Sequence, residues 1–512
     1  MLDADAALLA PAAVRMVDLD ARLTGVQLPR AHSGERYRSL LLVARLDGEP
    51  LGTAVLSVAP SGRVSGNQVA RELRSQLDTE LRDALSHRGL ALPDSLPLTG
   101  IPSIASRNGQ GPTRRRYVSV VVTTCCNPVA LERCLRSIVA CDYEEFEVIV
   151  VENRPESSAT RTRLPEWFPD EVRIRYVEEP LHGLSRARNA GLAVAEGDVV
   201  AFTDEDVIVD RAWVRRCAQG FDRGDDVACV TGLILPLQME TDSQLLLEQF
   251  TSFGKGFRRQ IFRLPDAREQ YPLLPFTPGM IGSGANTALR SDVAHEVGGF
   301  DVTLGTGTPA AGGEDLELYI RLLCAGQAVA YEPSAIVWHE HPDGKNRLRR
   351  QVYRYGVGLG ALFTQQLFAG PEPAELLRTV PAGFRYARDP TSRKNASKSA
   401  AYPRRLEWLE RFGMLLGPGA YLASVLVTAR RRMPSRRGAR ERRHIHYAGR
   451  VGLSNGKTVN VLTFKDRKEF APTTRHVREV VARRRRDRPA APRHAATSAV
   501  HRALVATAIA AC

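Results

Sequence analysis

The sequence offers little of what marks an exported, a zinc-clipped or a membrane-spanning chain. Its eight cysteines, at positions 125, 126, 134, 141, 217, 229, 324 and 512, include no Cys-x-x-Cys pair. That excludes a zinc ribbon and a thioredoxin-like redox motif, and thiols set inside apolar runs fit a reducing compartment. The first residues, Met-Leu-Asp-Ala-Asp-Ala, have neither the basic start nor the apolar centre of a secretory signal, so a cytoplasmic location is expected. No unbroken apolar run reaches the roughly 18 to 20 residues of a spanning helix. The nearest, Phe412 to Ala429, is interrupted by Gly413, Gly417, Pro418 and Gly419.

What is present is ordinary in composition and uneven in charge. An apolar fraction of 43% and a charged fraction of 25% exclude a disordered or fibrous chain, and 512 residues allow two to four domains. The net charge of +14 lies mainly near the C-terminus, where nine arginines and one acid fall between Arg430 and Arg450, with a second run at Arg483 to Arg486. No aromatic set is interleaved there to stack bases, so nucleic acid is not an expected partner. An apolar stretch followed by Arg430-Arg431-Arg432 suits the interface of an anionic membrane, which makes a peripheral position on its inner face a candidate location. A buried hairpin beside a solvated basic helix end explains the same residues.

Five segments follow. Residues 1–100 read as a small separate α+β domain, with strands at Leu40 to Arg45 and Leu51 to Val58 joined by an Asp47-Gly48 turn, then Val69, Leu73, Leu77, Leu81 and Leu85 on one helix face. A Pro- and Gly-rich linker spans residues 101–116. Residues 117–345 alternate apolar strands with helices, the pattern of βαβ units and a mostly parallel sheet. Residues 346–448 form a helical extension, with a helical hairpin expected at 404–432, and residues 449–512 hold a strand-like piece at 458–464 and a basic, disordered tail.

In a parallel sheet, ligands bind beyond the carboxyl ends of the strands. The residues there are Thr123-Thr124, Glu152-Asn153 and the acidic triplet Asp204-Glu205-Asp206. Two carboxylates at i and i+2 suit Mg²⁺ or Mn²⁺, and an acidic turn capping a strand is the plain alternative.

Four ordered pieces carry a resemblance: Val118-Ser-Val-Val-Val-Thr-Thr124, Phe146-Glu-Val-Ile-Val-Val-Glu-Asn153, Gly183-Leu-Ser-Arg-Ala-Arg-Asn-Ala-Gly191 with the triplet, and Gly312-Gly-Glu-Asp315. In these, residues 117–345 resemble family 2 glycosyltransferases of the non-processive, actinobacterial type, which implies a GT-A, Rossmann-like fold. The resemblance further implies donor contacts from Thr123, Glu152, Asn153, Arg188 and Asp204, a pocket contact from Asn286, and Mn²⁺ or Mg²⁺ on Asp204 and Asp206. His339 would complete the metal shell, with His341 as its substitute, and Asp315, paired with Glu314, would be the general base. Glu152 stands where the family favours Asp. Gln351-Val-Tyr-Arg-Tyr355 echoes an element of processive synthases and implies at most a diphosphate or acceptor contact.

The expected function is metal-dependent, inverting transfer of a sugar from a nucleotide-sugar donor to a glycan or lipid-linked acceptor hydroxyl, in cell-envelope glycan or glycolipid synthesis. The competing reading is a catalytically degenerate nucleotide-sugar-binding protein, or a membrane or nucleic-acid scaffold acting through the basic C-terminus.

Overall fold

The computed structural model describes residues 8–103, 114–157, 160–251, 253–264, 266–399, 401–432, 446–452 and 458–463. Most of the arginine run, the tail expected from residue 482 and the centre of the 101–116 linker lie outside them.

The N-terminal hairpin forms between Ser39–Leu46 and Glu49–Ser57, closed by Asp47 and Gly48 at φ 52° and 77°. A two-residue turn with both central residues at positive φ matches the twist of the strands it joins. A third strand, Ala12–Asp18, not foreseen from the sequence, adds parallel to Ser39–Leu46. The leucine repeat folds as two helices, Gly66–Gln76 and Asp78–Ser86, because Leu77 leaves the helical region at φ −120° and ψ 30°.

Those helices cover one face of the small sheet. The other face turns Leu41 and Val43 toward Met239, Leu233, Leu235 and Ile336 of the larger body. Arg45–Asp210 and Glu49–Arg216 ion pairs and a Tyr37 hydroxyl donating to Glu240 rim this contact. The small unit is thus packed through apolar side chains onto the larger body.

The central sheet runs Val199–Asp204, Val118–Thr124, Phe146–Glu152 and Ile174–Glu178 side by side and parallel. Every residue of Val118–Thr124 and Phe146–Glu152 is buried, as in a parallel sheet covered on both faces. On the other side Thr287–Arg290 runs antiparallel to Val199–Asp204 and leads to Val227–Pro236, itself parallel to Ala328–His339. Val207–Val209 pairs antiparallel with Ala328–His339 and sets Val207 opposite His339. The strand-like piece expected near 458–464 joins this sheet: Thr458–Thr463 pairs parallel with Ile174–Glu178, and His446–Gly452 pairs with it in turn.

Three helices make the extension: Lys345–Phe368, Pro373–Arg388 and Arg404–Arg432. The hairpin expected at 404–432 is instead one continuous helix, and its 404–430 stretch is long and apolar enough to cross a membrane, with mean hydropathy 1.6 over an 18-residue window. Two of the glycines that looked like interruptions are packing positions. Gly413 and Gly417 lie against Gly356 and Gly360 of the first helix, where an added Cβ on Gly360 would come 2.2 Å from the Met414 carbonyl. That carbonyl is the one Pro418, having no N–H, leaves without its helical donor. Small residues at four-residue spacing on both helices let the backbones approach closely.

Candidate active site

The acidic triplet sits in the turn between Val199–Asp204 and Val207–Val209, and its three carboxylates face three ways. Asp204 Oδ1 accepts from Arg188 Nη2 at 3.1 Å. Glu205 turns back to the first strand, accepting from the Thr124 hydroxyl and, at 3.3 Å, from the Cys125 N–H. Burial pushes Glu205 up to about 7, against the pull of those two donors. Asp206 points toward Ala328–His339, where the Glu340 N–H donates to its carbonyl at 3.0 Å and His339 Nε2 stands 3.7 Å from its Oδ1.

That Oδ1 is buried and accepts no hydrogen bond. A buried carboxylate oxygen without a donor is costly unless something else supplies positive charge. Its 3.7 Å separation from His339 Nε2 is too long for a hydrogen bond and short enough for two ligands each about 2 Å from one ion. Among the described residues no group of three or more His, Cys, Asp and Glu side chains is gathered for a metal. Mg²⁺-type ions in nucleotide sites take one or two carboxylates and complete their shell with substrate phosphates and water, so a sparse protein set fits.

The second acidic pair opens the helix Glu314–Cys324. Gly313, at φ 90°, and Gly312 lie against Gly358 of Lys345–Phe368, so the two glycines serve a close helix contact. Glu314 is buried and accepts from Arg188 Nη1 at 3.0 Å. Asp315 is more open; its Oδ2 accepts from the Gly284 N–H at 2.7 Å and its Oδ1 from the Leu316 N–H at 2.8 Å. Gly284 has no room for a side chain, since a Cβ would stand 2.6 Å from Arg188 Nη1. Nearby, burial lowers Lys255 to about 8 although Glu248 and Asp315 favour its charge.

Burial and the neighbouring Asp315 raise Glu314 from 4.5 to about 7, with Arg188 pulling the other way. A raised carboxyl means that the folded state holds its proton longer than the unfolded state does. This contribution is fully present below pH 4.5 and is lost as pH rises toward 7. Thermal melts of parent and Glu314→Gln across that window should show the parent losing stability relative to the variant as pH rises; parallel curves would contradict the assignment.

Several residues expected to contact substrate are hydrogen-bonded within the protein. Arg188 is 2% exposed, forks onto Asp204 and Glu314 and stacks over Phe300, so both terminal nitrogens face carboxylates. Arg186 is also buried. Asn286 accepts from Trp213 Nε1 at 2.9 Å and donates to the Leu233 and Ala335 carbonyls, which uses its amide inside the core. Asn153 donates to the Glu179 and Leu181 carbonyls and accepts from the Gly183 N–H, bracing the loop before the Leu184–Val194 helix. His341 is buried with Nε2 on Glu248 and is not available to an ion from that nitrogen.

Thr123 lies at the strand end in register with Asp204, while it is the Thr124 hydroxyl that binds Glu205. Glu152 is fully buried; one oxygen accepts from the Arg154 N–H and the other, Oε2, has no hydrogen-bond partner. Gln351 donates to the Tyr355 hydroxyl, and Tyr355 stacks on Phe250. Burial raises that hydroxyl above its ordinary value, with Gln351 pulling the other way. Glu248 was missed; its only signal was an acid after three leucines in the Asp242–Thr251 helix.

The sequence model described as Glycosyl transferase family 2 matches residues 119–298. The pre-mycofactocin glycosyltransferase of Mycobacterium tuberculosis (strain ATCC 25618 / H37Rv) is 29% identical over 337 residues, 65% of this chain and 62% of that protein, so the chain spans less than two thirds of that relative. Among solved structures, the mannosyltransferase PcManGT from Pyrobaculum calidifontis, in complex with GDP-Man and Mn²⁺, has a TM-score of 0.39 at 18% identity, over 63% of this chain and 89% of that one. The succinoglycan biosynthesis protein ExoM of Rhizobium meliloti is 30% identical over 268 residues, half of this chain and 78% of that protein. A matching family model over residues 119–298 and a relative at 30% identity covered over 78% of its length place this chain in glycosyl transferase family 2.

Proposed function

We propose that the chain transfers a sugar from a nucleotide-sugar donor to an acceptor hydroxyl, with inversion at the anomeric carbon and dependence on Mn²⁺ or Mg²⁺. The observation that carries this reading is Arg188, one buried guanidinium holding Asp204 of the triplet and Glu314 of the second pair at 3.1 and 3.0 Å. It sets the two halves of the site beside each other. Asp206 and His339 would hold the ion. When bound, the ion neutralises charge on the departing nucleoside diphosphate. Glu152 Oε2, buried and lacking a donor, is suited to an N–H of the nucleotide base.

Asp315, its orientation fixed by two backbone N–H groups, takes the proton of the acceptor hydroxyl as that oxygen bonds to the anomeric carbon. The bond from that carbon to the diphosphate oxygen breaks on the opposite face, and its electron pair leaves with the diphosphate. A screen of UDP-, GDP- and dTDP-sugars for Mn²⁺-dependent nucleoside diphosphate release, with NMR of the product's anomeric configuration, tests this. Retention of configuration would contradict the base role, and no nucleotide-sugar binding would favour a scaffold.

The acceptor is proposed to be glycan or lipid-linked, at an anionic membrane surface. One side of the helix Arg404–Arg432 is occupied by Lys345–Phe368, while Trp408, Phe412, Leu415 and Leu422 are exposed at 66%, 54%, 76% and 56%. Leu377 and Phe384 of Pro373–Arg388 are exposed as well, with arginines at 385, 388, 404, 405 and 430 around the apolar residues. Apolar side chains ringed by arginines suit a helix lying in the interface plane. Cosedimentation with anionic liposomes should fall on replacing Trp408, Phe412 and Leu415 by serine and on adding salt; an unchanged pellet would sink the membrane proposal.

A further inference from the structure

Three side chains run inward from the triplet in a single line. His339 Nε2 faces Asp206 Oδ1; His339 Nδ1 lies 3.3 Å from His341 Nδ1; His341 Nε2 lies 2.9 Å from Glu248 Oε2. The His341 side chain is 0% exposed and that of Glu248 is 3% exposed. Phe253 packs on both rings, 5.4 Å from His339 and 5.9 Å from His341 between centroids, so neither ring turns freely.

An imidazole presents a donor at one nitrogen and a bare lone pair at the other when neutral. The carboxylate of Glu248 accepts, so His341 Nε2 carries its hydrogen and His341 Nδ1 is bare. The facing nitrogen, His339 Nδ1, must then donate, which leaves His339 Nε2 bare and aimed at Asp206. A bare ring nitrogen is what a metal requires of histidine.

We infer that Glu248 and His341 are positioning residues that fix the tautomer of His339, presenting its Nε2 lone pair beside the unpartnered Asp206 oxygen. This rests on the metal-dependent reading above and adds two residues to it. Buried partners that orient a metal-binding histidine from behind are worth about 10- to 100-fold in metal affinity. Glu248 belongs to Asp242–Thr251, and Met239 and Leu245, just before it, pack against Ala12, Val14 and Leu41. The N-terminal unit thereby buttresses the helix that carries the relay.

The test is Mn²⁺ binding in the presence of saturating UDP or GDP, read by the electron paramagnetic resonance signal of unbound Mn²⁺. Glu248→Leu should weaken binding about 10- to 100-fold. Glu248→Gln, whose amide oxygen still accepts from His341, should bind nearly as the parent does. In a His339→Ala background, Glu248→Leu should cause no further loss, since its effect travels through His339. His341→Phe, which keeps the ring volume, repeats the question should Glu248→Leu lose its fold. Undiminished affinity in folded Glu248→Leu and His341→Phe, or the same loss again in the His339→Ala background, would overturn the relay. A parent that binds no Mn²⁺ with either nucleotide would sink the metal reading and the relay with it.

Discussion

Replacing Asp315 by asparagine should lower kcat for sugar transfer by about 10²- to 10⁴-fold while leaving donor affinity close to that of the parent. The exchange keeps size and shape, and an amide oxygen can still accept the Gly284 N–H that now bonds Asp315 Oδ2 at 2.7 Å. What is lost is basicity at the atom that would take the acceptor proton. Glu314 next to it does not substitute, because it is buried with an oxygen on Arg188. Because the change falls on turnover, steady-state kinetics should show it in kcat with little movement in the donor KM. A variant with parental kcat would remove Asp315 from the chemistry, and one with normal kcat but a large rise in KM would make it a binding residue.

Arg188→Met should be the most damaging single change to the site's architecture. A fully buried guanidinium compensates two carboxylates; removing it leaves the buried Glu314 and the partly exposed Asp204 without their shared cation. Deleting one partner of a buried ion pair typically costs about 3–5 kcal/mol. The expected result is a clear drop in chemical-denaturation midpoint together with loss of transfer. Arg188→Lys keeps the charge but not the fork, so it should recover part of the stability and little of the activity. A variant lacking the guanidinium that is as stable as the parent would show that the two carboxylates do not depend on it.

These expectations differ from what the sequence alone suggested for Arg188, and the difference is instructive. Strand ends, the triplet and the Glu314-Asp315 pair were legible because βαβ periodicity and chain order fix which residues emerge at the carboxyl edge of a parallel sheet. The partners of a polar side chain were not legible. Arg188 and Asn286 looked like ligand contacts because loop and helix-start polar residues often are, yet each is hydrogen-bonded to groups 16 to 126 residues away in sequence. Glu248, 91 residues before His339, carries no motif at all. The interrupted look of Phe412 to Ala429 misled for a related reason. Gly413 and Gly417 break a hydrophobic run on paper, but opposite Gly356 and Gly360 they are what lets two helices touch.

The division of labour between Asp206 and Asp315 is the central claim, and calorimetric titration of a nucleoside diphosphate with and without Mn²⁺ tests it most directly. Asp206→Ala should lose the Mn²⁺-dependent gain in affinity, whereas Asp315→Asn should keep it in full. Retention of that gain by Asp206→Ala, or its loss in Asp315→Asn, would contradict the assignment of the ion to one carboxylate and the proton to the other.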